Sequence, residues 1–252
     1  MNIQEALFQY VLRLGDDSLI LGHRLSEWCG HGPVLEEDIA TINISLDLIG
    51  QATNLLEYAG KLEGKGRDED AIAFLRLEHE YKNILLVEQT NGDFGKTMMR
   101  QFFFDSYRKL LFDRLVKSPD VQLAAIADKA LKETKYHLKH SSEWIIRLGD
   151  GTEESHRRIQ DSLDALYKYS NELFFTDEVE DTLVENGVIP SLDGLEDEWN
   201  TYVQAILKEA TLTIPTNNWK QSGGRLGKHT EHLGMLLTEL QYMQRAYPNM
   251  KW

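Results

Sequence analysis

Leu35, Ile39, Ile42, Leu46, Ile49 and Leu56 follow one another at steps of four, three, four, three and seven residues. That rhythm belongs to an α-helix, whose 3.6-residue turn stacks positions i, i+3, i+4 and i+7 on one side; a strand repeats every two. It predicts a helix over about residues 35–62 with an apolar seam suited to bundle packing. Ile44, Leu48 and Leu55 add a second apolar flank, so this helix is expected to be buried around much of its circumference.

The remaining chain repeats the theme. Prolines stand at 33, 119, 190, 215 and 248, none inside a segment with helical rhythm, and mark boundaries because proline stops a helix. Between them, helices are expected over about 3–28, 70–87, 94–117, 121–148, 153–175, 177–186, 195–209 and 230–246. No alternating β-branched run and no internal repeat is present. Short loops pair the first helix with the second, and the helix at 94 with the helix at 121; a longer connection carrying its own helix joins the pairs. One long connection between two hairpins is the layout of a ferritin-like bundle. The expected fold is therefore all-α, a ferritin-like long-helix bundle with extra C-terminal helices, and residues 1–252 form a single domain.

Composition narrows function. The net charge of −14 opposes sequence-independent nucleic-acid binding, which needs clustered Lys and Arg, and docking on anionic lipid. The single cysteine, Cys29, excludes an intramolecular disulfide and a thiolate-rich metal site, and fits a reducing, cytoplasmic compartment. The first twenty residues carry Glu5, Arg13, Asp16 and Asp17 and do not read as a signal peptide, and no apolar run is long enough to span a membrane.

Ferritin-like bundles often hold two metal ions between a Glu from each of two helices and Glu-x-x-His from each of the other two. Only one Glu-x-x-His occurs here, Glu153 with His156, in the first turn of a polar helix where a role toward the helix dipole explains Glu153 better. Elsewhere Asn43, Asp47 and Asn54 form a polar stripe on the second helix. Asp105 follows three phenylalanines, and Glu133 and His137 stand four apart with His140 beyond. Asp47, Asp105, Glu133 and His137 read either as a core network satisfying one another, as a variant metal site short of donors, or as more exposed residues; the core network is the preferred reading.

His229-Thr230-Glu231-His232 places two histidines three apart, but it also reads as a helix start with Thr230 near the cap, so a structural or partner-docking role is preferred. Gly223-Gly224-Arg225-Leu226-Gly227-Lys228 resembles a phosphate loop only loosely, lacking the Gly-Lys-Ser/Thr end and a preceding strand. No nucleophile–histidine motif is discernible.

Several ordered segments together carry a resemblance: 12–17, 24–31, Asn43-Ile44-Ser45-Leu46-Asp47-Leu48-Ile49-Gly50-Gln51-Ala52, 86–94, 132–138, His229-Thr230-Glu231-His232-Leu233-Gly234, 239–245 and the closing Trp252. Across nearly its whole length the chain resembles the C-subunit family of the bacterial phenylacetate-degradation multicomponent monooxygenase, ring-1,2-phenylacetyl-CoA epoxidase. The resemblance implies a structural, non-catalytic subunit of an oxidoreductase complex, with no cofactor of its own. The di-iron site belongs to a catalytic A subunit, and a reductase with flavin and iron–sulfur centres supplies electrons from NADPH. The implied partners are the A subunit and the other subunits of a hetero-oligomer. Phenylacetyl-CoA would meet this chain, if at all, at the interface, where Glu80-Tyr81-Lys82-Asn83 is the candidate wall and Lys82 the point charge toward phosphate; the alternative for that segment is a solvated helix face. Two other functions compete: a stand-alone ferritin-like metal-binding oxidoreductase using Asp47, Asp105, Glu133 and His137, and a ferritin-like binding module unrelated to oxygen chemistry.

Overall fold

The computed structural model describes residues 1–216, 219–248 and 250; the closing Trp252 lies outside the described residues. In chain order the α-helices are α1 Ile3–Ser26, α2 Leu35–Glu63, α3 Glu69–Phe74, α4 Leu85–Glu88, α5 Phe94–Leu115, α6 Val121–Gly149, α7 Glu153–Leu166, α8 Glu178–Glu185, α9 Leu195–Glu209, α10 Glu231–Leu240 and α11 Tyr242–Ala246. No strand occurs among the described residues. The fold class is all-α and ferritin-like. No described helix is long and apolar enough to cross a membrane.

Helix starts are written in the sequence. The first backbone N–H groups of a helix lack carbonyl partners, and a short polar side chain just ahead supplies one. Asn2, Asp93 and Asp120 accept from the N–H groups of Glu5, Lys96 and Leu123 at 2.8, 2.9 and 2.8 Å. Helix α2 has only Val34 ahead of it, which cannot cap. Asp38 in its first turn instead accepts from the backbone of Gly30 and Gly32, tying down the entering loop. At the other end Gly64 takes the left-handed conformation, φ +69°, that ends a helix cleanly.

The chain divides into two compact units. The first holds Met1–Thr90, Thr176–Asn186 and the chain from Gly223 onward. At its centre α1 and α2 run antiparallel: Gly15 lies against Leu56, and Gly22 against Ser45 and Ile49. A Cβ on Gly15 would sit 2.7 Å from Leu56 Cδ2, so a larger residue there would have to push the Leu56 side chain aside. Ser45 fastens the contact, its hydroxyl donating to the Gly22 carbonyl at 2.7 Å. Helix α1 is buried at 18 of its 24 positions.

The apolar seam of α2 points the opposite way from expectation. Its buried positions are Thr41, Ile44, Ser45, Leu48, Gln51, Ala52, Leu55, Leu56, Ala59 and Gly60, a set that includes the whole second flank of Ile44, Leu48 and Leu55. Leu35, Ile39 and Leu46 of the seam are 70%, 50% and 60% exposed. Ile42 and Ile49 are half-buried, and only Leu56 is fully buried. The seam is drawn inward where a glycine of α1 faces it: Gly15 meets Leu56 and Leu55, and Gly22 meets Ile49.

The second unit holds Asn91–Phe175 and Gly187–Ser222. Here α5 and α6 form the long antiparallel pair, with Phe94 at the start of α5 edge-on to Trp144 near the end of α6, ring centres 5.0 Å apart. Helix α9 closes on this pair through Trp199. Its indole stands 5.5 Å from both Phe103 and Phe174, and its N–H donates to the Phe103 carbonyl at 3.1 Å. Helix α7 continues not to residue 175 as an α-helix but as a 3₁₀ stretch, Tyr167–Phe174.

The helix expected over 70–87 is broken into α3, a 3₁₀ turn at Glu78–Glu80, an extended strap over 81–84, and the single turn of α4. Asp16 and Asp17 of α1 explain the break: they accept from the Lys82 and Ile84 N–H groups at 2.8 and 3.0 Å, displacing the carbonyls that a continuous helix would offer. The final helix divides at Gln241, whose buried side-chain amide donates to the Arg76 carbonyl and the Tyr81 hydroxyl.

Trp199 fills the centre of the second unit and its N–H is satisfied there. Trp199→Ala is expected to cost about 3–5 kcal/mol in urea unfolding followed by near-ultraviolet circular dichroism. A change below about 1 kcal/mol would show that α9 is not held by this contact.

Candidate functional site

Helix α1 carries three charges in its buried middle, Arg13, Asp16 and Asp17. Each would cost several kcal/mol if left unpaired away from water. None is. Asp16 is clamped by both terminal nitrogens of Arg76, one of them 3.0 Å from Oδ2. Asp17 receives both terminal nitrogens of Arg225 at 3.0 and 2.8 Å. Arg13 donates to Asp177 at 3.0 and 2.6 Å and to Glu180 at 2.9 and 2.8 Å. Burial works against the Arg13 charge, but the Asp177 and Glu180 carboxylates outweigh it and hold its pKa above the ordinary guanidinium value. Three segments distant in sequence are thereby tied to one helix.

The strap over 81–84 lies under these pairs. Arg225 also donates to the Lys82 carbonyl at 2.8 Å. A Cβ on Gly224 would stand 2.0 Å from the Asn83 carbonyl oxygen, and one on Gly227, at φ +74°, 2.2 Å from that of His79. The glycine-rich run 223–228 is therefore a clasp pressed against the strap. Its glycines permit close approach to backbone, and its arginine is spent on Asp17.

Glu88 of α4 makes the second anchor. Its Oε2 accepts from Asn83 Nδ2 at 3.0 Å and lies 2.9 Å from His229 Nδ1. Its Oε1 accepts from the N–H and hydroxyl of Thr230 at 2.7 and 2.8 Å. The other ring nitrogen of His229 is 3.0 Å from the Tyr81 carbonyl. Both nitrogens thus face acceptors, which suits an imidazolium donating twice. Burial disfavours that charge, but the Glu88 hydrogen bond and charge prevail and raise the His229 pKa. Arg24 completes the anchor by donating to the carbonyls of Glu88 and His232 at 3.0 and 2.8 Å.

The second unit holds a different cluster. Asp105 on α5 is wholly buried and accepts from Gln101 Nε2 at 2.6 Å and Ser141 Oγ at 3.0 Å. His137, also wholly buried, stands one turn before Ser141 on α6 and acts on Asp105 by its charge. Desolvation dominates and lifts the Asp105 pKa from its ordinary 3.8 to about 7, against the pull of His137 and the two donors.

Of the four polar residues singled out in the sequence, Asp105 and His137 meet in this cluster. Glu133 lies on α6 and Asp47 on α2 of the other unit, both half-buried. Glu153 is exposed at the start of α7, and His156 Nδ1 lies 2.7 Å from the Gly149 carbonyl. His229 is occupied by Glu88 and Tyr81. Among the described residues no three His, Cys, Asp or Glu side chains are grouped to hold a metal ion. In the segment 80–83, Tyr81 and Asn83 are fully buried. Glu80 and Lys82 line a cleft of about 460 Å³ together with Lys65, Arg67 and His79. Burial, aided by the nearby Arg13 charge, lowers the Lys82 pKa.

Sequence reasoning did not single out Arg13, Asp16, Asp17, Arg76, Glu88 or Arg225 as a site. One signal was available: three charges within five positions of an otherwise apolar helix. Ionic residues almost never enter a core unless paired, so they called for partners.

A family model described as phenylacetic acid catabolic protein matches residues 1–252. The chain is similar to the C subunit of 1,2-phenylacetyl-CoA epoxidase from Escherichia coli (strain K12), 48% identical over 246 residues, which cover 98% of this chain and 99% of the relative.

A carboxyl whose folded pKa lies above its unfolded one costs stability once ionised. For Asp105 the cost is absent below about pH 4, grows as pH rises toward 7 and is constant above it. Asp105→Asn keeps the shape and removes the ionisation. Its stability relative to the parent chain, measured by thermal melting, is expected to climb between pH 4 and 7 and then level off. A difference that stays flat over that range would mean Asp105 is ionised at its ordinary pKa.

Proposed function

The chain belongs to the family of phenylacetic acid catabolic proteins, and on that premise we propose that it is the structural C-type subunit of a phenylacetyl-CoA 1,2-epoxidase complex. Its end-to-end identity of 48% with the Escherichia coli C subunit carries this reading. The donor set supports it. The buried acids Asp16, Asp17, Glu180 and Glu88 are committed to Arg76, Arg225, Arg13 and His229, and no three described His, Cys, Asp or Glu side chains are grouped to hold a metal ion.

In this reading the chain supplies shape. A catalytic ferritin-like A subunit holds the di-iron site and epoxidises the ring of phenylacetyl-CoA, and a reductase with flavin and iron–sulfur centres delivers electrons from NADPH. The family match runs through both compact units, which supports taking residues 1–252 as one functional module. The reading fits better than a stand-alone metal oxidoreductase, for which Asp47, Asp105, Glu133 and His137 would have to ligate and among which no three described residues are grouped.

Purification of the chain alone and with its cognate A subunit tests this. The chain alone is expected to carry no stoichiometric iron or manganese and to show no turnover. The pair, with reductase and NADPH, is expected to hold iron and epoxidise phenylacetyl-CoA. Stoichiometric metal in the chain alone, lost on Asp105→Ala or His137→Ala, would overturn the proposal.

The Glu80–Asn83 segment is proposed to meet the CoA part of the substrate through Lys82 alone, since Tyr81 and Asn83 face inward. Its ammonium is half-exposed in the cleft and makes no ion pair to a carboxylate among the described residues. In assembled complex, Lys82→Ala is expected to raise KM for phenylacetyl-CoA about three- to tenfold with kcat unchanged, the pattern of a lost ground-state contact. An unchanged KM assigns the CoA phosphates to other residues.

A further inference from the structure

Helix α2 leaves a row of large apolar side chains outside the fold. Leu35, Ile39 and Leu46 are exposed, and Ile42 and Ile49 between them are half-buried. From Leu35 to Ile49 the row is about 21 Å long, four turns of helix at 1.5 Å per residue. Single exposed leucines are ordinary on a soluble protein; a row in strict steps of four and three is not. Such steps are what one helix offers to another in knobs-into-holes packing. At Gly50, beside the row, a Cβ would meet nothing within 4 Å, so the surface there is open and low. The buried flank of the same helix already holds α1, so the row is not spare core.

The charge pattern states what can cover it. Over its whole length the helix carries Glu36, Glu37, Asp38, Asp47, Glu57 and Glu63 against a single cation, Lys61, which pairs with Glu57 at 2.7 Å. Glu36 is exposed beside the row, and Glu57 is exposed two turns beyond its end. A second copy of this chain would bring the same acids and a net charge of −14 to the contact. Like charges across such a seam oppose pairing, and basic flanks favour it.

We propose that the outward row of α2 is the docking face for one helix of a non-identical subunit, an amphipathic helix with an apolar stripe in three–four spacing and Lys or Arg on its flanks. This rests on the reading of the chain as a subunit of the epoxidase complex, and the natural test partner is the catalytic A subunit. The row belongs to the first compact unit and needs nothing from the second.

Two double variants separate the possibilities, Ile39→Ser with Leu46→Ser, and Glu36→Lys with Glu57→Lys, each in the full chain. All four side chains are exposed, so both variants are expected to melt like the parent by far-ultraviolet circular dichroism. Affinity for the A subunit, measured by calorimetry and by co-sedimentation, is expected to fall at least tenfold for the serine pair and to fall for the lysine pair as well. Parent chain that binds, with a serine pair that binds equally well, overturns the docking face and leaves the subunit reading intact. A serine pair that fails while the lysine pair binds as the parent does overturns the basic character of the occupant. Parent chain that self-associates through the row, lost in the serine pair, overturns the non-identical partner. Parent chain that binds no other subunit removes the subunit reading and the proposal with it.

Discussion

Everything in the first compact unit depends on charges buried in the middle of α1. A helix with 18 of 24 positions inside has little water with which to solvate Arg13, Asp16 and Asp17, so each must find a counter-charge from elsewhere in the chain. The counter-charges come from Arg76, from Arg225, and from Asp177 with Glu180 at the entry to α8. The pairs add little net stability over an apolar core of the same volume, because desolvation offsets most of the attraction. Their effect is on register. Sliding any of these segments by one turn strands a buried ion at a cost of several kcal/mol, whereas sliding an apolar contact costs far less. Segments more than two hundred residues apart in the chain are thereby placed against one helix.

The carboxylates do a second job that a lysine or a leucine could not. An ionised carboxylate has two oxygens and room for several donors. Asp16 and Asp17 each spend part of that capacity on an arginine and part on a backbone N–H of the strap. Glu88 does likewise, with His229, Thr230 and Asn83 around it. The strap is thus an extended segment within a helical unit, with the N–H groups of Lys82 and Ile84 satisfied by side chains rather than by a ladder. In the second unit the buried Asp105 is handled differently: it has two neutral donors and the influence of His137, too little to keep it fully ionised at neutral pH. The two units therefore respond to acidification through different groups. His229, its pKa raised by Glu88, adds stability that is complete below about pH 6.5 and is lost as pH rises through its folded value.

Most helices were legible because periodicity and stop signals are local. Leu195–Glu209 has the bounds expected of it, and α5, α6 and α8 differ from expectation by one or two residues at an end. What failed was long-range. The helix expected over 70–87 has adequate rhythm, and nothing within it says that Asp16 and Asp17, more than sixty residues earlier, will take two of its amides. The glycine-rich run 223–228 resembled a phosphate loop only loosely, and nothing local told that its glycines answer to the carbonyls of Asn83 and His79. The clustered segments 12–17, 86–94 and 229–234 carried the family resemblance, and the structure gives them one physical explanation: Asp16, Asp17, Glu88 and His229 are the anchors of a single network.

Helix α2 shows why a hydrophobic pattern alone does not say which face is core. Two apolar flanks competed for α1, and the one with the larger residues and the cleaner heptad spacing lost. Close approach decided it: Gly15 of α1 takes in Leu55 and Leu56 and Gly22 takes in Ser45 and Ile49, and packing energy rises steeply as gaps close. Large side chains in regular spacing suit a different task, in which a partner arrives already folded and knobs must find holes on a surface that cannot rearrange. On the proposed docking, α2 divides the two tasks between its sides.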